Sequence, residues 1–266
     1  MNNKTLQTAQ KLNAQKRVLI LVALFLLTFV DFSLANDSTK VISHFSGNIS
    51  ATNNGISLIP SFNLGKPAIV FNLSIGNEKL SFDPQLRFAM EGKPWSFIFW
   101  WRYKIVENER FQIKLGAHPA LSFKEINVIK DGKPMEIIRV RRYLAGELAP
   151  SFRISEKITV APYYLYARGI ERDITQNTHY IALQSSFSNL KLSDEISITF
   201  TPQIYYLEMD ELRGFYVASG ISFMKKKFPF SVSAMINKTI DSEIASKNFI
   251  WSISLVWSFG KRFIEL

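Results

Sequence analysis

The sequence predicts an all-β chain closed into an antiparallel transmembrane β-barrel, most simply of twelve strands, with fourteen as the alternative. Three observations predict it. First, apolar and polar residues alternate in stretches of roughly ten residues, as a strand with one face to lipid and one to the lumen requires. Leu80, Phe82, Pro84, Leu86 and Phe88 interleave with Ser81, Asp83, Gln85 and Arg87, and Ile196, Ile198, Phe200, Pro202, Ile204 and Tyr206 repeat the rhythm. Second, no helical period persists after the N-terminal apolar segment. Third, 14% of the residues are aromatic, a load that suits interfacial girdles. Closure follows from the solvent: each unpaired backbone N–H or C=O in hydrocarbon costs several kcal/mol, so an open sheet edge is not tolerated.

The first 35 residues read as a cleaved signal peptide. Lys4, Lys11, Lys16 and Arg17 precede the apolar stretch Val18–Val30, and Ser33-Leu34-Ala35 offers small residues before Asn36. Thirteen apolar residues fall short of the roughly 17–25 that cross a bilayer as a helix. Cleavage there removes four basic residues and one acid, which lowers the net charge from +10 to +7. A basic exported chain points to anionic solutes or lipid phosphates, and not to nucleic acid. The absence of cysteine excludes disulfides, thiolate chemistry and a lipid anchor on cysteine.

Strands are expected at residues 56–64, 68–75, 79–90, 95–106, 110–123 and 137–154, then at 158–168, 179–187, 196–208, 214–224, 230–237 and 249–259. Connections near residues 76–79, 107–109, 155–157 and 225–228 are short. Those near 127–136, 169–178, 209–213 and 238–248 are longer. Residues 36–55 form a segment of open placement. Val41–Thr52 also alternates, and Asn53-Asn54-Gly55 is a hairpin signal, but counting it would make thirteen strands and put the termini on opposite sides. It is therefore expected as an appendage or a bent first strand, with the barrel at 56–266. Pro60, Pro84, Pro150, Pro162 and Pro202 share the apolar parity and predict a belt of bulges, since proline cannot donate to a ladder.

The last strand sets Trp251, Ile253, Leu255, Trp257 and Phe259 against Ser252, Ser254, Val256 and Ser258. In this the chain resembles the bacterial outer-membrane β-barrel proteins, whose closing strand alternates and ends in an aromatic residue. The resemblance implies residence among outer-membrane lipids and insertion by the barrel-assembly machinery. It departs from the pattern in that Gly260–Leu266 follow Phe259, so that either Phe263 is the working aromatic or the tail trails free.

Candidate chemistry lies on the inward parity. Arg87, Arg102, Lys104, Lys114, Lys124, Arg139, Arg141 and Arg153 face Asp83, Glu91 and Glu147 there. A cationic lumen passing small anionic solutes is one expectation. An interior ion-pair network that plugs a narrow barrel, as in an accessory member of a larger envelope assembly, is the other. A third class, a lipid hydrolase, has thinner support. His44-Phe45-Ser46 is similar to the His-x-Ser arrangement of outer-membrane lipid A deacylases, yet no third carboxylate is evident. His179 falls on the apolar parity near Glu208, without a serine at its height, and fits an interfacial belt with Tyr180 and Tyr206. His118 reads as an interior polar residue. Trp95, Trp100, Trp101 and Tyr103 read as membrane anchors. Asp173, Asp210 and Glu211 are too few and scattered for a calcium site, so neither a metal nor a cofactor is expected.

Overall fold

The computed structural model describes residues 42–130 and 133–264, and the signal-peptide reading lies outside them. Twelve strands form one closed antiparallel sheet: β1 (Ile42–Thr52), β2 (Ala68–Gly76), β3 (Leu80–Ala89), β4 (Pro94–Glu107), β5 (Phe111–Lys130), β6 (Lys133–Arg153), β7 (Ile158–Gly169), β8 (Asn177–Lys191), β9 (Ile196–Met209), β10 (Leu212–Lys225), β11 (Phe230–Ser242) and β12 (Phe249–Ile264). Each strand pairs with its neighbours in sequence, and β1 closes on β12 with Ser43 opposite Phe263. The first strand starts and the last ends at the same mouth, called here the termini side; the other is the loop side.

The strand total agrees with the sequence, but its membership does not. Residues 42–52, expected as an appendage, are a full barrel strand with partners on both sides. Residues 56–64, expected as the first strand, are instead a loop carrying a 3-10 turn at Pro60–Phe62. The parity argument survives, because one strand was exchanged for another. The physical reason lies in the loop's own residues. Proline starts the 3-10 turn, and Gly65 holds a φ of +77° that favours glycine. Gly55 closes the neck: its N–H donates to the Lys66 carbonyl at 2.9 Å, and its own carbonyl accepts from Leu64 at 3.0 Å.

Two other expectations change. Residues 127–136 are not a long connection, since β5 and β6 stay paired out to Lys130 opposite Lys133. The tail after Phe259 does not trail, because Gly260 and Phe263 pair with Ser46 and Ser43 in β1. The proline belt is also overturned. Pro84, Pro162 and Pro202 face Phe99, Leu183 and Ser219 without a register shift. Pro150 faces Ile113 the same way, while the β6–β7 ladder merely lapses between Leu148 and Phe152 and resumes in the same register. A proline costs one donor on one side of its strand, and a twelve-stranded sheet absorbs that without inserting a residue.

The outward face is apolar around the barrel. Leu144, Ile204, Phe215 and Leu255 are each more than half exposed, which a lipid-facing wall explains and a water-facing wall does not. Aromatic pairs gather toward both mouths. Phe82 meets Trp101 at 4.6 Å and Phe111 meets Phe152 at 4.7 Å on the termini side. On the loop side Phe88, Phe97 and Phe123 form a row at 5.2 and 4.9 Å.

Candidate functional site: a barrel interior divided in two

A charged cluster built from six strands, β1 to β4, β6 and β7, lies on the interior wall between the two mouths. Arg102 on β4 donates from Nη1 to Asp83 Oδ2 on β3 at 2.9 Å, and from Nε to Glu147 Oε1 on β6 at 2.6 Å. Its guanidinium lies 4.3 Å from the centre of the Trp100 ring. Tyr163 on β7 donates to the other oxygen of Glu147 at 2.5 Å. Asp83 accepts from Ser81 at 3.1 Å and from Ser74 on β2 at 2.6 Å, and His44 on β1 meets Ser74 at 2.8 Å. The Glu147 side chain is only 2% exposed, a position tolerable for a carboxylate only when it is paired and hydrogen-bonded. The sequence makes room for it: a Cβ on Gly116, its cross-strand partner, would stand 2.6 Å from Glu147 Oε1.

On the termini side of this cluster lies a cavity of about 640 Å³. Lys79, Arg102, Lys104, Lys114, Lys261 and Arg262 line it against only Glu78 and Asp83, an excess of four positive charges. Lys104 shares its charge with Glu107 at 2.9 Å.

On the loop side lies a second cavity of about 620 Å³, mostly apolar and aromatic, closed over by residues 56–62. Three side chains hold that loop inside the barrel by donating to its carbonyls. Trp95 Nε1 reaches Phe62 at 2.7 Å, the Tyr205 hydroxyl reaches Leu58 at 3.0 Å, and Lys124 Nζ reaches Asn63 at 3.2 Å. A row of tyrosines, Tyr163, Tyr180, Tyr205 and Tyr216, crosses β7 to β10 at ring separations of 5.8, 5.0 and 4.8 Å.

The basic residues singled out in the sequence are thus split among several settings. Arg102, Lys104 and Lys114 line the termini-side cavity, while Arg87 faces the loop-side cavity. Lys124 anchors the loop, and Arg141 on β6 has a buried Nε with no hydrogen-bond partner among the described residues. Arg139 turns to the connection after β7 and pairs with Asp173. Arg153 is exposed at the termini-side rim. Glu91 lies in a loop, paired with Lys66 at 2.5 Å.

Several aromatic assignments also change. Trp95 and Trp100 are interior, at 2% and 9% exposure, while Trp101 and Tyr103 stay outside. Trp100 shares the inward parity of Arg102, whereas Trp95 is turned in by a bulge: Arg87 faces Ser96 and Phe88 faces Pro94, so Trp95 is the extra residue. Tyr180 is buried in the interior at 6%, not in the belt with Tyr206. The inward tyrosines were missed, although Tyr180 and Tyr216 lie on strand faces made mostly of small or polar residues. Those faces hold Thr178, Ala182 and Gln184 on β8, and Gly214, Ala218 and Gly220 on β10.

The histidines do not form a hydrolytic constellation. Ser74 donates its proton to Asp83, so His44 must donate to Ser74 and is engaged there rather than with Ser46. His179 lies on the outer face against Tyr164 at 2.9 Å and opposite Glu208, which accepts from Tyr206. His118 packs on Trp100 with 4.0 Å between ring centres. No group of metal-binding side chains occurs among the described residues.

The connection at residues 170–176 carries a pH response. The hydrogen bond from Arg139 holds the Asp173 carboxyl below its usual range. Partial burial raises Glu171, but hydrogen bonds from the Arg142 backbone and guanidinium outweigh it, and the net shift is downward. Carboxyls lowered in the folded state contribute stability at neutral pH that fades as pH falls through their folded values. A spin label at Arg172→Cys is expected to stay restrained above about pH 5 and to gain mobility below about pH 4. Mobility that is already high at neutral pH, or unchanged by Arg139→Gln with Arg142→Gln, would show that these ties do not hold the connection.

No protein-family model matches this sequence, nor does any curated protein sequence. The chain is similar to solved outer-membrane barrels. They include the KdgM porin in complex with disordered oligogalacturonate, at 8% identity, TM-score 0.49, and 81% of this chain and 99% of that one covered. LpxR from Salmonella typhimurium aligns at 10% identity and TM-score 0.46 over 80% and 99%. The NanC porin aligns at 9% and 0.45 over 84% and 100%.

Proposed function

We propose that this protein is an integral outer-membrane barrel that admits small anionic solutes from its termini-side mouth and is closed at rest. The observation that carries this reading is the excess of four positive charges lining the termini-side cavity. Such a lining concentrates anions by focusing the field in a low-dielectric wall. The cluster of Arg102, Asp83 and Glu147 forms its floor, so passage requires that cluster to part. The apolar exterior, the closed sheet and the secretory character of the N-terminus support delivery to the outer membrane by the barrel-assembly machinery. Signal cleavage before Asn36 belongs to the same proposal.

Planar-bilayer recordings test it. The native barrel is expected to open rarely, and Arg102→Ala is expected to open more often, with reversal potentials that favour anions. Reversing charge at Lys104→Glu and Lys114→Glu is expected to reduce that preference. Silence from both the native and the Arg102→Ala proteins would overturn passage and favour an accessory role. One feature favours that second reading: β5 and β6, at 20 and 21 residues, are the longest strands, and Ile129 near their tip is 82% exposed.

A further inference from the structure

The loop-side cavity is a different environment from the cationic mouth. Its volume of about 620 Å³ falls in the range of small-molecule sites, roughly 300–1,000 Å³. Leu58, Ile59 and Phe62 of the loop form its lid, and Tyr180, Leu165 and Ile98 continue the apolar wall. Gln184, Gln203, Thr201 and the paired Ser222 and Ser233 supply neutral polar groups. Arg87 is the one charged side chain in the lining.

Arg87 is poorly compensated. Its guanidinium donates to Gln85 and lies 5.0 Å from the centre of the Trp95 ring, and no carboxylate pairs with it among the described residues. Among the described residues, its N–H donors find one protein acceptor, the Gln85 side chain. A cation in a confined, largely apolar space is stabilised mainly by an anion that brings matching acceptors, and guanidinium takes a carboxylate in bidentate fashion. A second unpartnered group shares the wall: His118 Nδ1 is buried without a hydrogen bond. An apolar chamber with one uncompensated arginine selects a ligand of matching build.

We infer that the loop-covered chamber binds one small amphipathic carboxylate, its head on Arg87 and its apolar body against Leu58, Ile59, Phe62 and Tyr180. The Arg102 cluster lies between the chamber and the mouth, and the loop covers part of the other side. The inference stands on the barrel alone and is independent of anion passage through the mouth.

Equilibrium dialysis of the full barrel in lipid nanodiscs tests it, with 4-phenylbutanoate as the probe, 4-phenylbutanol as the neutral analogue, and empty nanodiscs subtracted. Saturable binding at one site per barrel is expected, with at least about tenfold preference for the acid, the size of one charge-assisted contact. Arg87→Met is expected to erase that preference while Arg87→Lys keeps part of it. Lys104→Gln with Lys114→Gln is expected to leave binding unchanged, which separates this site from the mouth. Should Arg87→Met not fold, Ala167→Leu, on the inward face of β7 with Leu165, narrows the chamber without touching the charge and is expected to weaken binding of the acid. Uptake no greater than that of empty nanodiscs, equal binding of acid and alcohol, or loss of binding only in the Lys104 and Lys114 variants would each overturn the assignment.

Discussion

Arg102→Ala is expected to destabilise the barrel by about 3–5 kcal/mol, the usual consequence of removing one partner from a buried charge pair. The cost arises less from a lost attraction than from what remains. Glu147, 2% exposed, and Asp83, 18% exposed, would be left facing each other without a cation. Urea unfolding in detergent micelles, followed by tryptophan fluorescence, measures the loss. The combined variant Arg102→Met, Asp83→Asn and Glu147→Gln is expected to recover most of it, because neutral groups of similar shape need no counter-charge. A loss below about 1 kcal/mol for Arg102→Ala, the scale of an exposed pair, would show that water screens the cluster and that it does not seal the interior.

Trp95→Ala is expected to have an effect of similar size, about 3–5 kcal/mol, the cost of truncating a buried tryptophan. It removes the donor to the Phe62 carbonyl, the ring beneath Arg87 and the packing at the loop neck, where that indole would lie 3.1 Å from a Cβ on Gly55. The loop at residues 56–64 is then expected to leave the barrel, with Phe62 becoming a site of rapid chymotrypsin cleavage. Trp95→Phe keeps a ring but loses the donor, and about 1 kcal/mol is expected. Equal protease resistance in the native and Trp95→Ala proteins would mean that Tyr205 and Lys124 suffice to hold the loop.

The strands whose alternation was cleanest were read within a few residues. Residues 68–75, 158–168 and 196–208 correspond to β2, β7 and β9. Alternation fixes which face a residue takes, and so the inward parity of Arg87, Arg102 and Glu147 was legible. It does not fix what a face meets. Ile56, Leu58, Pro60, Phe62 and Leu64 alternate as a strand does, yet no ladder pairs them, and carbonyls gripped by Trp95, Tyr205 and Lys124 draw them inward. A bulge likewise reverses parity in a single step, which is why Trp95 was read as an anchor for lipid and lies inside.

The sequence alone determined that this chain closes as an antiparallel barrel with an oily outside, because period-two alternation is a local property and hydrocarbon forbids an open edge. Only the tertiary structure decided that the interior is two chambers and not one channel. The bond between them joins Arg102 to Glu147, and the bond that fastens the covering loop joins Trp95 to Phe62, residues 45 and 33 positions apart in sequence. Partners that distant are selected by where closure of the barrel places them, a geometric outcome that no local pattern of residues encodes.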